Sequence, residues 1–168
     1  MAIRRPGDLR LARKLRAEGV VYPLTTIWEA RRAKLPLSYA LALLEKESGL
    51  GHNEFGHDPT IFAGAGEVTK TKYLAYRAER RASGNRLMQG VGPTQLTFFT
   101  YQDLADELGG CWRPSRNMRV GFTHLQQLTH VLGKQEGAAR FNGTGPAAEE
   151  YGRDFVQRQE RWHAFLTR

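Results

Sequence analysis

Apolar residues recur every three or four positions along most of the chain, and glycine or proline interrupts the recurrence at intervals. Leu37, Ala40, Leu41 and Leu44 keep helical spacing, which predicts a helix that Pro36 opens and that runs to about Ser48. Met118, Phe122, Leu125, Leu128 and Leu132 predict a second long helix over 116–132, capped by Ser115 and closed by Gly133. Pro146 begins a third, with Tyr151, Phe155, Trp162 and Phe165 on one face. Shorter helices are expected over 8–18, ended by Gly19, over 26–34, capped by Thr25 or Thr26, and over 70–82. Pro93 is expected to open another over 93–108, which Gly109-Gly110 ends. A short segment, Glu136–Phe141, precedes the turn Asn142-Gly143-Thr144-Gly145. Residues 49–69 are rich in glycine and turn formers, with a small hairpin expected around Ile61–Val68. The pattern predicts a mostly α chain: a single helical domain with at most a small β-hairpin.

Composition narrows this picture. With 168 residues and a hydrophobic fraction of 40%, the chain can bury one ordinary core. No apolar run is long enough to span a membrane, and the basic start Met1–Gly7 leads into no apolar stretch, so no secretory signal is expected. The lone Cys111 excludes an internal disulfide and fits synthesis in a reducing cytosol; it is expected as a buried small side chain rather than a nucleophile. The net charge of +8 is uneven: residues 1–34 carry nine Lys or Arg against Asp8, Glu18 and Glu29. A basic end of this kind suits nucleic acid, an anionic membrane surface or acidic wall polymer, or serves solubility alone. We divide the chain into a basic arm or helix over 1–20 and a domain over 21–168.

Three stretches carry candidate chemistry. The first is Glu45-Lys46-Glu47-Ser48-Gly49, at the end of an apolar helix. Glu47 lies over Ala40, Leu43 and Leu44, whereas Glu45 lies over the more polar Ser38, Leu41 and Ala42. A carboxyl group held out of water keeps its proton to higher pH, as a general acid must; the alternative is a helix-end acid with no role. The second is Gly90-Val91-Gly92-Pro93-Thr94-Gln95-Leu96, where glycines permit close backbone approach and Gln95, in the first helical turn, could offer an amide to a sugar. Taken alone, an ordinary loop explains it as well. The third is Ala138–Gly143, which sets Phe141 and Asn142 at a tight turn. His52, His57 and Asp58 match no standard zinc spacing, so no metal and no cofactor are expected; a solvated loop or a sugar contact from His57 suits them better. His124 and His130 are expected at the surface or its boundary.

In order and spacing, these stretches form a larger pattern. Glu47-Ser48 is followed by Gly92-Pro93-Thr94-Gln95-Leu96, by Pro114-Ser115-Arg116-Asn117-Met118-Arg119-Val120-Gly121, and by Ala139-Arg140-Phe141-Asn142-Gly143. Over about residues 36–165 the chain resembles the lytic transglycosylase and goose-type lysozyme superfamily. The Gly-rich insert with Phe55–Pro59 is similar to endolysins of phages that infect actinobacteria. Two features depart from the family: Phe141 stands where a tyrosine is usual, which removes a hydroxyl near the acid, and the insert between Glu47 and Gln95 is long.

The resemblance implies an α+β lysozyme-like fold and cleavage of the β-1,4 bond between N-acetylmuramic acid and N-acetylglucosamine. Glu47 would be the general acid, with Ser48, His57, Gln95, Leu96, Phe141 and Asn142 as substrate contacts. Asp58 is the leading candidate for a second carboxylate, with Glu54 and Glu67 behind it; an Asp-Pro turn explains Asp58 equally simply. Without a second acid the product would be a 1,6-anhydro sugar, and this outcome is slightly favoured over hydrolysis. The implied partner is peptidoglycan glycan strands, met by a monomer that needs no nucleic acid. The implied route is synthesis in a host cytoplasm and holin-mediated release to the cell wall. Two other classes remain open: a basic nucleic-acid-binding protein, with 26–48 imitating a helix-turn-helix, and a non-catalytic wall-binding or virion structural module.

Overall fold

The computed structural model describes residues 5–55 and 67–168, and eight helices account for most of them. They are α1 (Asp8–Ala17), α2 (Pro23–Arg32), α3 (Leu37–Ser48), α4 (Lys70–Ala82), α5 (Phe99–Glu107), α6 (Pro114–Leu132), α7 (Lys134–Asn142) and α8 (Pro146–Leu166). No strand forms among the described residues; Val91 makes isolated bridges to Phe55 and Leu96. The hairpin expected at Ile61–Val68 lies largely outside the described residues.

Helix ends account for most differences from the expected boundaries. α2 begins at Pro23, because proline suits the first helical position, and Thr26 is no cap: its hydroxyl donates back to the Tyr22 carbonyl at 2.9 Å. It ends where Lys34 turns left-handed and Leu35 N–H reaches the Ala30 carbonyl at 2.9 Å. α6 likewise begins at Pro114 rather than behind a Ser115 cap. Pro36 flanks α3 rather than opening it. The largest correction concerns residues 93–98. They form a turn, not helix, because Gln95 adopts a left-handed backbone (φ 49°), and α5 starts only at Phe99.

Two apolar clusters build the core. Ala12, Leu15, Ile27, Leu41, Leu43, Leu44, Met118, Phe122, Leu125, Phe155 and Trp162 join α1, α2, α3, α6 and α8 in one. Phe55, Val68, Tyr73, Tyr76, Val91, Leu96, Ala105, Cys111 and Val120 join α4, α5 and the Val91–Leu96 turn in the other. α6 serves both, with Met118, Phe122 and Leu125 facing one cluster and Val120 the other. Residues 40–44 of α3 are wholly buried, so the middle of this helix is core on all sides. α7 packs against both α6 and α8, and Gly137 and Gly152 permit this: a Cβ on Gly137 would strike the Thr129 backbone, and one on Gly152 the Gln135 carbonyl.

Candidate active site

Glu47 sits in the last turn of α3, beside the seam with α8. Ala40, Leu43 and Leu44 are fully buried, as its spacing predicts. Burial disfavours its charged form and pushes its carboxyl up to about 7; the Tyr151 hydroxyl and the charge of Lys46 pull in the other direction without cancelling the effect. The Tyr151 hydroxyl donates to Glu47 Oε1 across the seam. Burial and the neighbouring Glu47 hold that phenol well above its ordinary range, so it stays a donor. Lys46 ties down the same corner by an ion pair with Asp154, its ammonium 4.3 Å from the centroid of the Tyr151 ring.

Glu45, two residues away, faces a different environment. It accepts from Arg158 at 2.6 Å, from Arg161 at 2.8 Å and from the Trp162 indole at 2.8 Å. Arg158 also holds Asp154 at 2.9 Å. This network clamps α8 to α3 and so sets Tyr151 against Glu47.

The remaining motif residues build the support for one turn. Ser48 is buried; its hydroxyl donates to the Pro93 carbonyl at 2.7 Å and accepts from Gly51 N–H at 3.0 Å. It is a structural pin, not the substrate contact expected of it. Asn117 is also buried: its amide donates to the Val91 carbonyl at 2.7 Å, and its oxygen accepts from Thr94 N–H at 3.0 Å and the Thr94 hydroxyl at 2.8 Å. Added Cβ atoms at Gly92 and Gly121 would overlap Asn117 and Thr94, so both glycines are required for this contact. Gln95 turns inward as well. Both of its amide donor bonds stay within the protein, to the carbonyls of Glu54 at 2.8 Å and Gly92 at 2.9 Å. Gln95 still borders the cleft, but its N–H groups are not presented to a ligand.

These supports leave a cleft of about 550 Å³. Glu47 lies on one wall, and Gln95, Leu96, Thr97 and Phe98 of the turn on another. Tyr101, His124, Leu128, Arg140, Phe141 and Asn142 complete it. Tyr101, His124 and Phe141 form an aromatic row, with ring centroids 4.5 and 5.4 Å apart. Burial lowers the His124 pKa, and its Nδ1 lies 3.3 Å from the Tyr101 hydroxyl. The cleft thus combines flat apolar faces, which suit the C–H face of a sugar ring, with the exposed Asn142 amide and the Arg140 guanidinium.

Glu47 is the sole carboxylate among the described residues lining this cleft. Glu54, an expected reserve for a second acid, is buried elsewhere: one oxygen accepts from Val68 N–H at 2.8 Å, and burial raises its pKa. Glu67 is exposed. His57 and Asp58 lie outside the described residues. His52 reaches the Gly19 carbonyl at 2.9 Å, fastening its loop to the end of α1. Cys111 is buried and its thiol is pushed up to about 12 by burial, in keeping with an inert side chain.

Sequence reasoning missed Tyr101, Tyr151, His124 and Arg140 as residues of this site. Tyr151 matters most. Its spacing puts it on an apolar stripe, 104 residues from Glu47, and helical spacing cannot show that a hydroxyl at the end of such a stripe meets an acid. A hydroxyl is therefore present at Glu47, delivered by Tyr151 from α8.

Comparisons with known proteins yield no match: neither a family model, nor a curated protein, nor a solved structure is similar to the chain.

Proposed function

We propose that the protein cleaves the β-1,4 bond between N-acetylmuramic acid and N-acetylglucosamine in peptidoglycan, with Glu47 as general acid and then base. One observation carries the proposal: a carboxyl group with its pKa pushed up to about 7, on the wall of a cleft lined with aromatic rings and exposed polar groups. Near neutral pH such a group holds a proton for part of the time and can both give and take it.

In the first step Glu47 gives its proton to the glycosidic oxygen. The bond from that oxygen to C1 of the muramic residue breaks, leaving positive charge shared between C1 and the ring oxygen. The Tyr151 hydroxyl, donating to Oε1, steadies the carboxylate that forms. In the second step this carboxylate takes the proton from the 6-hydroxyl, whose oxygen bonds to C1 and closes a 1,6-anhydro ring. No water is consumed, and Glu47 ends protonated as it began. Inverting hydrolysis would instead need a second carboxylate, about 6.5–9.5 Å away, to activate water. Among the described lining residues Glu47 has no such companion, which favours the transglycosylase outcome.

The test is turbidity loss and product mass spectrometry on purified actinobacterial murein. Anhydromuramyl products, absent with Glu47→Gln, are expected. Free reducing ends without anhydromuramyl products would make the enzyme a hydrolase. Tight murein binding with no bond cleaved would make it a non-catalytic wall module.

A further inference from the structure

The two basic regions of the chain differ in whether their charges are used. On α4, Arg77 pairs with Asp106 at 2.8 Å, and both Arg80 and Arg81 reach Asp103, so the arginines of this helix are paired with α5. On α1 the opposite holds. Asp8 is consumed by Arg31 at 2.8 Å and by the Trp28 indole at 3.2 Å, and Glu29 by Arg119 at 3.0 Å. Arg10, Arg13, Lys14 and Arg16 are exposed and form no ion pair among the described residues.

Beside these charges, α1 and the start of α2 enclose a groove of about 300 Å³. Its lining is mainly apolar, from Leu9, Ala12, Val21, Tyr22, Pro23 and Leu24, and Arg13, Arg16 and Thr25 complete it. Leu9 stands 66% exposed on the same helix as the four free cations. Leu9 extends the apolar lining of the groove, and a polyanion alone would use the charges without contacting that lining. An anionic amphiphile uses both, placing phosphate against guanidinium and hydrocarbon against Leu9 and the groove.

We infer that the α1–α2 groove is a binding surface for anionic phospholipid, which docks the protein on a negatively charged bilayer. Each arginine gains from the surface potential, and Leu9 enters the boundary between headgroups and acyl chains. The surface shares no residue with the Glu47 cleft, so it stands whether or not the proposed cleavage does.

The experiment is co-sedimentation of the full chain with vesicles of phosphatidylglycerol mixed with phosphatidylcholine, against vesicles of phosphatidylcholine alone. Binding to the anionic vesicles alone, falling as salt rises, is expected. The double variant Arg13→Gln, Arg16→Gln should weaken it roughly thirtyfold. Leu9→Gln, which changes no charge, should weaken it roughly fivefold. All these side chains are exposed, so circular dichroism and murein turbidity rates should match the parent. Equal binding to both vesicle types, or binding to neither, would overturn the inference. So would wild-type binding by Leu9→Gln together with displacement of the vesicles by polyglycerol phosphate or duplex DNA, which would mark a plain polyanion surface.

Discussion

Two carboxylates sit two residues apart on α3 and live in opposite electrostatic worlds. Glu45 faces the outer side of the α3–α8 seam, where two arginines and an indole donate to it. Glu47 faces the cleft, where a neutral hydroxyl is its close donor and burial dominates. Two residues turn a helix by about 200°, which carries one acid to the counter-charges of α8 and the other to a desolvated wall. The difference separates an acid that holds the fold together from one available for proton transfer. The seam links the two roles, because the Glu45 network positions the helix that delivers Tyr151.

Substitutions can break this contrast. The largest effect is expected from Glu47→Gln, which should lower murein turnover by about a thousandfold or more in a turbidity assay while the protein stays folded. Wild-type turnover in that variant would remove Glu47 from the chemistry. Next, Asn117→Leu should destabilise the protein by roughly 2–4 kcal/mol in urea unfolding, because it strands Thr94 N–H and the Val91 carbonyl in the core. It should also lower turnover, since the turn that walls the cleft loses its support.

The pH dependence of stability sharpens the comparison. Glu47 has a folded pKa near 7 against 4.5 unfolded, so the folded state binds more protons between those values. Its stabilising effect is complete below pH 4.5 and disappears as pH rises through 7. Glu47→Gln should therefore match the parent in thermal stability at pH 4 and exceed it by roughly 2–3 kcal/mol at pH 8. Glu45→Gln is expected to go the other way at neutral pH, losing roughly 1 kcal/mol by the same measurement while keeping turnover within a few-fold. The smallest effect concerns Tyr151→Phe. Turnover should fall as pH rises through about 7 in the parent; without the hydroxyl, which pulls the Glu47 pKa down, that falling limb should move to higher pH. An unmoved limb would show that the seam does not tune the acid.

Much of the architecture was legible along the chain. The long helices α3, α6 and α8 follow to within a few residues from apolar periodicity and the prolines and glycines near their ends, because these signals act locally. The preference for Glu47 over Glu45 was legible for the same reason: the residues beneath it lie three, four and seven positions back. The turn at 93–98 was not. Pro93 signals a helix start, yet Ser48, Asn117 and Glu54 hold the following residues in a turn, and these anchors lie 23 to 45 residues away. The hydrogen bonding of Ser48 and Gln95 was hidden on the same ground: their donors are spent on this turn.

By itself, then, the sequence determined where the long helices run, which acid lies on an apolar face and where positive charge gathers. Local sterics and helical periodicity decide these things. Tertiary structure alone decided that Tyr151 meets Glu47, that an aromatic row of Tyr101, His124 and Phe141 faces the same cleft, and that the arginines of α4 are paired with α5 while those of α1 form no ion pair among the described residues. Each of those depends on the packing of helices distant in sequence. A group's charge and hydrogen bonding respond to whatever lies within a few ångströms, however far away it is along the chain.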